Sequence, residues 1–180
     1  FMPFAYGGGV RDLDHVQEIF RLGVEKVAVN THAVENPRFV SDAAERFGSQ
    51  SVVVSIDAKK RWLRGYEVFT HGGRRATGLH PAEHARAMEA AGAGELLVTS
   101  IDRDGTMEGY DLELIRMVAD AVTIPVIACG GAGRVEHFGQ AVREGGADAV
   151  AAGSMVVYQG RGRGVLINFP TRDELKQVLG

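Results

Sequence analysis

The stretch GGVRDLDH at residues 8–15 returns as GGAGRVEH at residues 130–137. A second stretch, GVEKVAVNT at residues 23–31, returns as GADAVAAGS at residues 146–154. About four predicted strand–helix modules separate the two copies. An eight-module barrel built from two half-barrels explains that offset, whereas an open doubly wound sheet does not. The repeat therefore predicts a (βα)8 barrel, in which the carboxyl ends of all strands face one rim.

Apolar runs that end in small or polar residues alternate with segments of helical spacing. The predicted strands lie at residues 4–9, 26–30, 51–57, 96–102, 124–130 and 147–153. The predicted helices lie at residues 13–22, 37–47, 81–91, 111–121, 135–144 and 171–179. Such alternation is typical of parallel strands joined by helical crossovers. We count six modules of a single partial barrel domain, residues 1–180, and expect the first two modules, about 70 to 80 residues, before residue 1.

The composition excludes several classes of protein. Hydrophobic residues make up 45% of the 180 residues and the net charge is -3, which suits a globular domain rather than a disordered chain. Charges of both signs are interspersed and no apolar run is long enough to span a membrane, so we expect neither a nucleic-acid nor a membrane partner. The single cysteine, Cys129, excludes an internal disulfide and a cysteine-based metal site. We therefore expect a cytoplasmic protein that uses no metal and no cofactor.

The paired glycines stand where predicted strands meet helices, and backbone N–H groups at such turns favour a phosphate. One module later, each copy ends in small polar residues, Asn30-Thr31 in the first and Gly153-Ser154 in the second. A single glycine pair is more often only a tight turn, but its duplication with matched hydroxyl residues favours binding. The sequence therefore predicts two phosphate sites on opposite sides of one barrel mouth, suited to a bisphosphorylated small molecule.

Acidic residues end two of the predicted strands. Ser55 and Asp57 share one face of their strand, and if that face points inward, Asp57 stands at the rim as a general acid or base. The alternative is that Asp57 caps a helix or pairs with Lys59. The cluster at residues 102–105 follows another strand, where Gly105 can bring the backbone close to a ligand, although such a cluster is more often a turn.

Lys26 and Glu95 share a strand face with Asn30 and Thr99, respectively. Four residues of strand place them about 13 Å from the rim, at the floor of the barrel. Either they form an ion pair that stabilises the floor, which is the commoner role at that end, or they line an opening through it.

The segment at residues 62–78 makes one module unusually long. Alternation over residues 66–70 predicts a hairpin strand. Arg74 and Arg75 suit either a lid that binds an anionic ligand or a merely solvated loop.

The histidines and the cysteine carry weaker signals. The six histidines show no metal-ligand spacing. We expect His15 and His137, which occupy matched positions of the repeat, at the surface. Cys129 is predicted to be a small core residue rather than a nucleophile.

Seven segments together resemble the cyclase subunit of imidazole glycerol phosphate synthase. They are YGGGV (6–10), KVAVNT (26–31), FGSQ (47–50), SIDAK (55–59), GAGE (92–95), TSIDRDGT (99–106) and GGAG (130–133). The resemblance extends from about residue 5 to residue 155. It implies a (βα)8 barrel that combines ammonia from a separate glutaminase subunit with a bisphosphorylated ribulosyl intermediate of histidine biosynthesis. The implied products are imidazole glycerol phosphate and an aminoimidazole carboxamide ribotide.

The resemblance also implies roles for individual residues. Asp57 matches the family's catalytic aspartate on the fifth strand of the barrel. Asn30, Thr99 and Asp104 match substrate contacts, Gly9 and Thr31 match one phosphate site, Gly105, Gly131, Gly153 and Ser154 match the other, and Lys26 and Glu95 match the ammonia gate. The family's other catalytic aspartate lies on its first strand, with a lysine on the next loop, and neither segment is among these 180 residues. We therefore expect impaired cyclase chemistry from this chain alone.

Two departures from the family's pattern leave the substrate open. Cys129 stands where the family usually has serine, and residues 155–170 are unlike the tail of histidine-pathway members. That tail resembles a paralogous branch associated with sugar amidation for surface polysaccharides. Arg161 and Arg163 would then bind a different anion, unless they belong to a solvated basic loop.

Three hypotheses follow from these residues. The first is an ammonia-dependent cyclase that works with a glutaminase partner, and the second is a paralogue that acts on a nucleotide-linked sugar. The third is a non-catalytic barrel fragment that covers its unpaired strand edges by forming a homo-oligomer.

Overall fold

The computed structural model describes residues 3–63, 65–159 and 164–180. Its strands are β1 (Ala5–Gly7), β2 (Lys26–Val29), β3 (Val52–Arg61), β4 (Gly65–Thr70), β5 (Arg75–Ala76), β6 (Glu95–Ser100), β7 (Val126–Cys129), β8 (Ala149–Val150), β9 (Tyr158–Gln159) and β10 (Gly164–Val165). Its helices are α1 (Leu13–Arg21), α2 (Thr31–Glu35), α3 (Arg38–Phe47), α4 (Pro81–Ala90), α5 (Leu112–Ala119), α6 (Glu136–Arg143), α7 (Ser154–Val157) and α8 (Arg172–Leu179). A short 3-10 turn covers Ser49–Ser51.

Six of the strands form a curled parallel sheet in the order β1-β2-β3-β6-β7-β8. Each parallel strand pairs with the next one along the chain, and helices connect them: α1, then α2 with α3, then α4, α5 and α6. This arrangement of strand–helix modules is a partial (βα)8 barrel, which confirms the fold class predicted from the repeat.

The two faces of the parallel sheet differ in burial. Toward the helices, the apolar side chains are completely buried, which stabilises the sheet by about 1.5–3 kcal/mol for each large side chain. Examples are Val27, Val54, Ile56, Leu96 and Val98. The opposite face, here called the concave face, carries half-buried residues at the alternate positions, including Ala28, Ser55, Asp57, Leu97 and Thr99. Strand register places Ser55 opposite Leu97 and Asp57 opposite Thr99.

The repeat extends to two short helices that the sequence did not predict. α2 begins at Thr31 and α7 begins at Ser154, and these two residues occupy matched positions of the repeat. Helices this short cannot display a 3.6-residue period, so the spacing of apolar residues did not indicate them. After α7 the chain forms the β9–β10 hairpin, whereas after α2 it enters α3.

The unusually long module, which begins with β3, contains the predicted hairpin. β3 continues past the parallel sheet and pairs antiparallel with β4, from Asp57 opposite Phe69 to Arg61 opposite Gly65. The strand expected at residues 66–70 is therefore confirmed, and its partner is β3 itself.

Side chains fix the start of several helices. The His15 backbone N–H donates to Asp12 Oδ1 at 2.7 Å at the start of α1. Thr171 and Glu174 form a reciprocal capping box at the start of α8. Among the described helices, none combines the length and the apolar character needed to cross a membrane.

Candidate functional site

Three cavities lie side by side along the carboxyl ends of the parallel strands. Their volumes are about 470, 280 and 90 Å³, and we call them the first, central and third cavities. The first and central cavities share Asp57, and the central and third cavities share Asp104. The residues that the sequence predicts at the rim all line this row: Gly9, Asn30, Thr31, Asp57, Thr99, Asp104, Gly105, Gly131, Gly153 and Ser154.

The first cavity lies where β1 and β2 end. Gly9 has a φ of +71°, and a Cβ built on it would meet nothing within 4 Å, so its backbone borders open space. Thr31 Oγ1 accepts a hydrogen bond of 3.0 Å from the His71 backbone N–H. Because that hydroxyl already accepts from His71, its own proton is left to donate to another acceptor, such as an anion in the cavity.

Asn30 joins the first cavity to the β4 strand. Its Nδ2 lies 3.5 Å from the Phe69 carbonyl oxygen, at the far limit of a hydrogen bond. Its Oδ1 is buried and has no hydrogen-bond partner among the described residues. A buried acceptor without a partner costs free energy, so this position favours a ligand that brings an N–H or O–H group.

Asp57 stands at the middle of the row. Its Oδ1 accepts a hydrogen bond of 2.9 Å from Ser55 Oγ. Burial raises the pKa of the Asp57 carboxyl above its usual value, the hydrogen bond from Ser55 and the side chain of Asn30 oppose that rise, and the charge of Asp104 adds to it. A carboxyl with a raised pKa exchanges its proton closer to neutral pH, as a general acid or base must.

The sequence also allows Asp57 to act as a cap or to pair with Lys59. Lys59 Nζ instead lies 3.8 Å from Asp102 Oδ1. Asp102 Oδ2 also accepts a hydrogen bond of 2.9 Å from the Lys60 backbone N–H. Asp102 is therefore engaged by the β3–β4 hairpin, while Asp57 borders the cavities.

Close backbone packing forms the third cavity. Gly131 has a φ of +109°, and a Cβ there would lie 2.2 Å from the Gly109 carbonyl oxygen. The same two residues are also joined by a hydrogen bond, since the Gly109 N–H donates to the Gly131 carbonyl oxygen at 2.8 Å. Glycine at 131 is therefore required by the approach of a second loop as well as by its own backbone angle.

His137 contradicts its predicted place at the surface. It is 5% exposed, and its Nδ1 accepts a hydrogen bond of 3.1 Å from the Gly133 backbone N–H. Burial lowers the pKa of His137, which favours the neutral ring that this acceptor role needs. The side chain thus anchors the glycine-rich loop of the third cavity, a role that helical spacing alone did not indicate.

Cys129 differs from its predicted place in the core. The side chain is half-buried on the concave face and lines the third cavity beside Gly130. Burial raises the pKa of the Cys129 thiol, so it stays protonated at neutral pH and is a poor nucleophile.

Lys26 and Glu95 form an ion pair at the opposite end of the strands from Asp57. They begin β2 and β6, and β3 lies between those two strands in the sheet. Both side chains remain partly exposed, at 34% and 21%. The pair predicted as one of two alternatives is therefore present.

The loop after β4 lies over the cavity row. His71 has a φ of +56°, unusual for a residue with a side chain, and Gly72 lines both the first and the central cavities. Arg75 Nη1 lies 3.7 Å from Glu35 Oε1, which itself lines the first cavity. Arg74 is exposed. Arg161 and Arg163, the other predicted anion-binding arginines, lie outside the described residues.

The model of the histidine biosynthesis protein family matches residues 1–162 of this chain. The chain belongs to that family. The match covers every residue that lines the row of cavities. The match ends before β10, so the last part of the tail lies outside it.

A further cavity of about 520 Å³, here called the tail cavity, involves the last part of the chain. Its lining includes Tyr158, Asn168 and Phe169 from the tail. Gly133 and Met155 also line it, and each directly follows a residue of the third cavity in the chain. Among the described residues, no group of three or more histidine, cysteine, aspartate or glutamate side chains could hold a metal ion.

Proposed function

We propose that this chain is the cyclase part of an imidazole glycerol phosphate synthase. In this function, ammonia attacks a bisphosphorylated ribulosyl aminoimidazole carboxamide intermediate, and the site must accept a proton from nitrogen and return one to the departing group. Asp57 is the group that exchanges those protons. Asn30, Thr99 and Asp104 contact the substrate between its two phosphates.

The observation that carries the proposal is the position of Asp57 within the cavity row. Candidate phosphate sites from the two copies of the repeat stand at the two ends of the row, with Gly9 and Thr31 at one end and Gly131 and Ser154 at the other. Asp57 borders the first and central cavities between those ends. A substrate with a phosphate at each end would therefore lie across the carboxyl group.

Ammonia is proposed to enter from the floor, where Lys26 and Glu95 pair. Above them on the concave face, Ala28, Ser55 and Leu97 line the first cavity together with Asp57. A small neutral nucleophile released at the floor by a glutaminase partner would then reach Asp57 without crossing bulk water, which limits loss of ammonia by protonation.

The test is turnover of the bisphosphorylated intermediate by the full-length protein with an ammonium salt as nitrogen source. Asp57→Asn is expected to lower kcat about 10²- to 10⁴-fold, the usual contribution of a positioned general acid or base. Asp102→Asn is the matched control. Asp102 also follows the end of a parallel strand, but its carboxylate accepts a hydrogen bond from the Lys60 backbone N–H instead of lining a cavity. Equal turnover by the two variants would refute the role of Asp57.

A second candidate function is amidation of a nucleotide-linked sugar, in which the same kind of barrel combines ammonia from a glutaminase partner with another substrate. The tail cavity favours it, because Tyr158, Asn168 and Phe169 provide stacking and hydrogen-bonding groups next to the third cavity. Both substrates can be offered to the full-length protein with ammonium. Turnover of the sugar alone, together with failure to support histidine synthesis in cells, would select the second function over the first.

A further inference from the structure

Ser55 occupies the middle of the concave face, between the floor and the rim. Among the residues of β2, β3 and β6 that line the first cavity are three on the concave face below the rim: Ala28, Ser55 and Leu97. Ser55 carries the one polar side chain of the three. Its neighbours in β3, Val54 and Ile56, are of the β-branched type that strands favour, so strand formation does not explain a serine here.

The hydroxyl of Ser55 has a defined partner. Ser55 Oγ donates to Asp57 Oδ1 at 2.9 Å, and the two residues share a strand face because they are two positions apart. A half-buried hydroxyl costs free energy unless it is hydrogen-bonded, and this bond removes that cost. When Asp57 is ionised the bond is charge-assisted, and such bonds are stronger than neutral ones.

We propose that Ser55 is a positioning residue for Asp57. The Ser55 hydroxyl holds one carboxylate oxygen of Asp57 in place and favours the ionised carboxylate. The other carboxylate oxygen is left for the reacting proton. Burial and the charge of Asp104 both disfavour the ionised form of Asp57. The hydrogen bond from Ser55 opposes both effects, because it stabilises the ionised carboxylate. This inference rests on the acid–base role proposed for Asp57.

The first experiment follows the Asp57 carboxyl carbon by NMR in protein labelled with carbon-13 at aspartate, with Asp57→Asn identifying the signal. Ser55→Ala removes the donor, so the pKa of Asp57 is expected to rise further. Ser55→Thr keeps the hydroxyl and is the matched control, in which the pKa is expected to stay at its parental value. Should the alanine variant not fold, Ser55→Cys keeps a side chain of similar shape with a weaker donor and is expected to raise the pKa of Asp57 as well.

The second experiment is the pH profile of turnover by the full-length protein. Ser55→Ala is expected to move the limb that belongs to Asp57 to higher pH and to lower kcat about tenfold, with KM unchanged, as loss of one charge-assisted hydrogen bond implies. Ser55→Thr is expected to restore both.

The outcomes separate the two proposals. An unchanged pKa of Asp57 in Ser55→Ala, or in Ser55→Cys when that variant is used, would overturn the positioning role whatever the activity. The pKa of Asp57 could instead rise in Ser55→Ala as expected while the parent protein shows no ammonia-dependent turnover. That result would support the positioning role and refute the proposed function.

Discussion

At the scale of single residues, Gly131 combines a backbone angle and a close approach that only glycine satisfies. Its φ is +109°, and a Cβ would lie 2.2 Å from the Gly109 carbonyl oxygen. Gly8 has a similar φ of +116°, but a Cβ there would meet nothing within 4 Å. The two positions therefore separate the cost of the backbone angle from the cost of the close approach.

Alanine is expected to destabilise the protein at both glycines, and more at Gly131. At Gly8 the strained backbone angle costs about 1–3 kcal/mol. At Gly131 the same strain is joined by displacement of the loop that carries Gly109, which deforms the third cavity. Urea unfolding of Gly8→Ala and Gly131→Ala measures the difference. Equal free energies of unfolding would mean that the two loops separate freely and that their approach is not a constraint.

The candidate phosphate-binding residues could be predicted from the sequence because they are repeated, and Asp57 because it ends a strand on the face that it shares with Ser55. Gly9 and Gly131, or Thr31 and Ser154, reinforced one another because each copy supported the other. The repeat indicated no role for Ser55, which has no counterpart in it, or for His137, whose counterpart is His15. Alternation placed Ser55 beside Asp57, yet only the distance between their oxygen atoms indicated a role. His137 lay on a helix of ordinary spacing, and its burial depends on the glycine loop folded against it.

At the scale of secondary-structure elements, one carboxylate fastens the β3–β4 hairpin to the helical layer. Tyr66 donates its hydroxyl to Asp111 Oδ1 at 2.8 Å. Asp111 also accepts from the Leu114 backbone N–H at 3.2 Å, which caps α5, and from Ser100 Oγ at 3.2 Å. The strand end, the hairpin and the helix start therefore share one side chain.

Tyr66→Phe is expected to destabilise the protein by about 1.5 kcal/mol, because it removes a hydrogen bond to a charged group. In a double-mutant cycle with Asp111→Ala, the coupling between Tyr66 and Asp111 is expected to be about 1 kcal/mol. Tyr110→Phe is the matched control, since its hydroxyl donates to the Ala151 carbonyl oxygen and not to Asp111. Equal coupling for the two tyrosines in urea unfolding would contradict this account.

Among the elements, the six parallel strands and the longer helices were predictable because their patterns are local. β2, for example, is a run of apolar residues between polar ends, and α3 has apolar residues at helical spacing. The extension of β3 into the hairpin was not predictable, since its outer part pairs only with β4 and lacks an apolar run. The end of β3 is therefore set by its pairing with β4, not by the local pattern of apolar residues.

At the scale of the whole molecule, the repeat places one candidate anion cavity toward each side of the parallel sheet. The first cavity lies at β1 and β2, the third lies at β7 and β8, and Asp57 on β3 borders the space between them. In the proposed function, the two copies of the repeat supply two similar binding ends, and Asp57 between them supplies the acid–base chemistry. Similar ends with a different middle suit a substrate whose two phosphates flank one reacting bond.

The sheet ends at β1 and β8, and within the described residues each of these strands has a neighbour on one side only. The Phe4 carbonyl oxygen accepts a hydrogen bond of 2.9 Å from the Glu25 N–H, so this carbonyl points toward the side of β2. By alternation, the backbone N–H of Ala5 points toward the open side. Unpaired strand edges of this kind pair readily with another chain.

The 180-residue chain prepared alone is therefore expected to self-associate through these edges. Light scattering on a sizing column should give at least twice the mass of 19.3 kDa, and hydrogen exchange at residues 5–7 should slow as the protein concentration rises. Exchange in β3 and β6, which are paired on both sides, should not change. Ala5→Pro removes the outward N–H without removing a bond to β2, so it should shift the mass toward the monomer. A parent chain that stays monomeric would show that its edges are protected without a second copy, and would argue against the homo-oligomer.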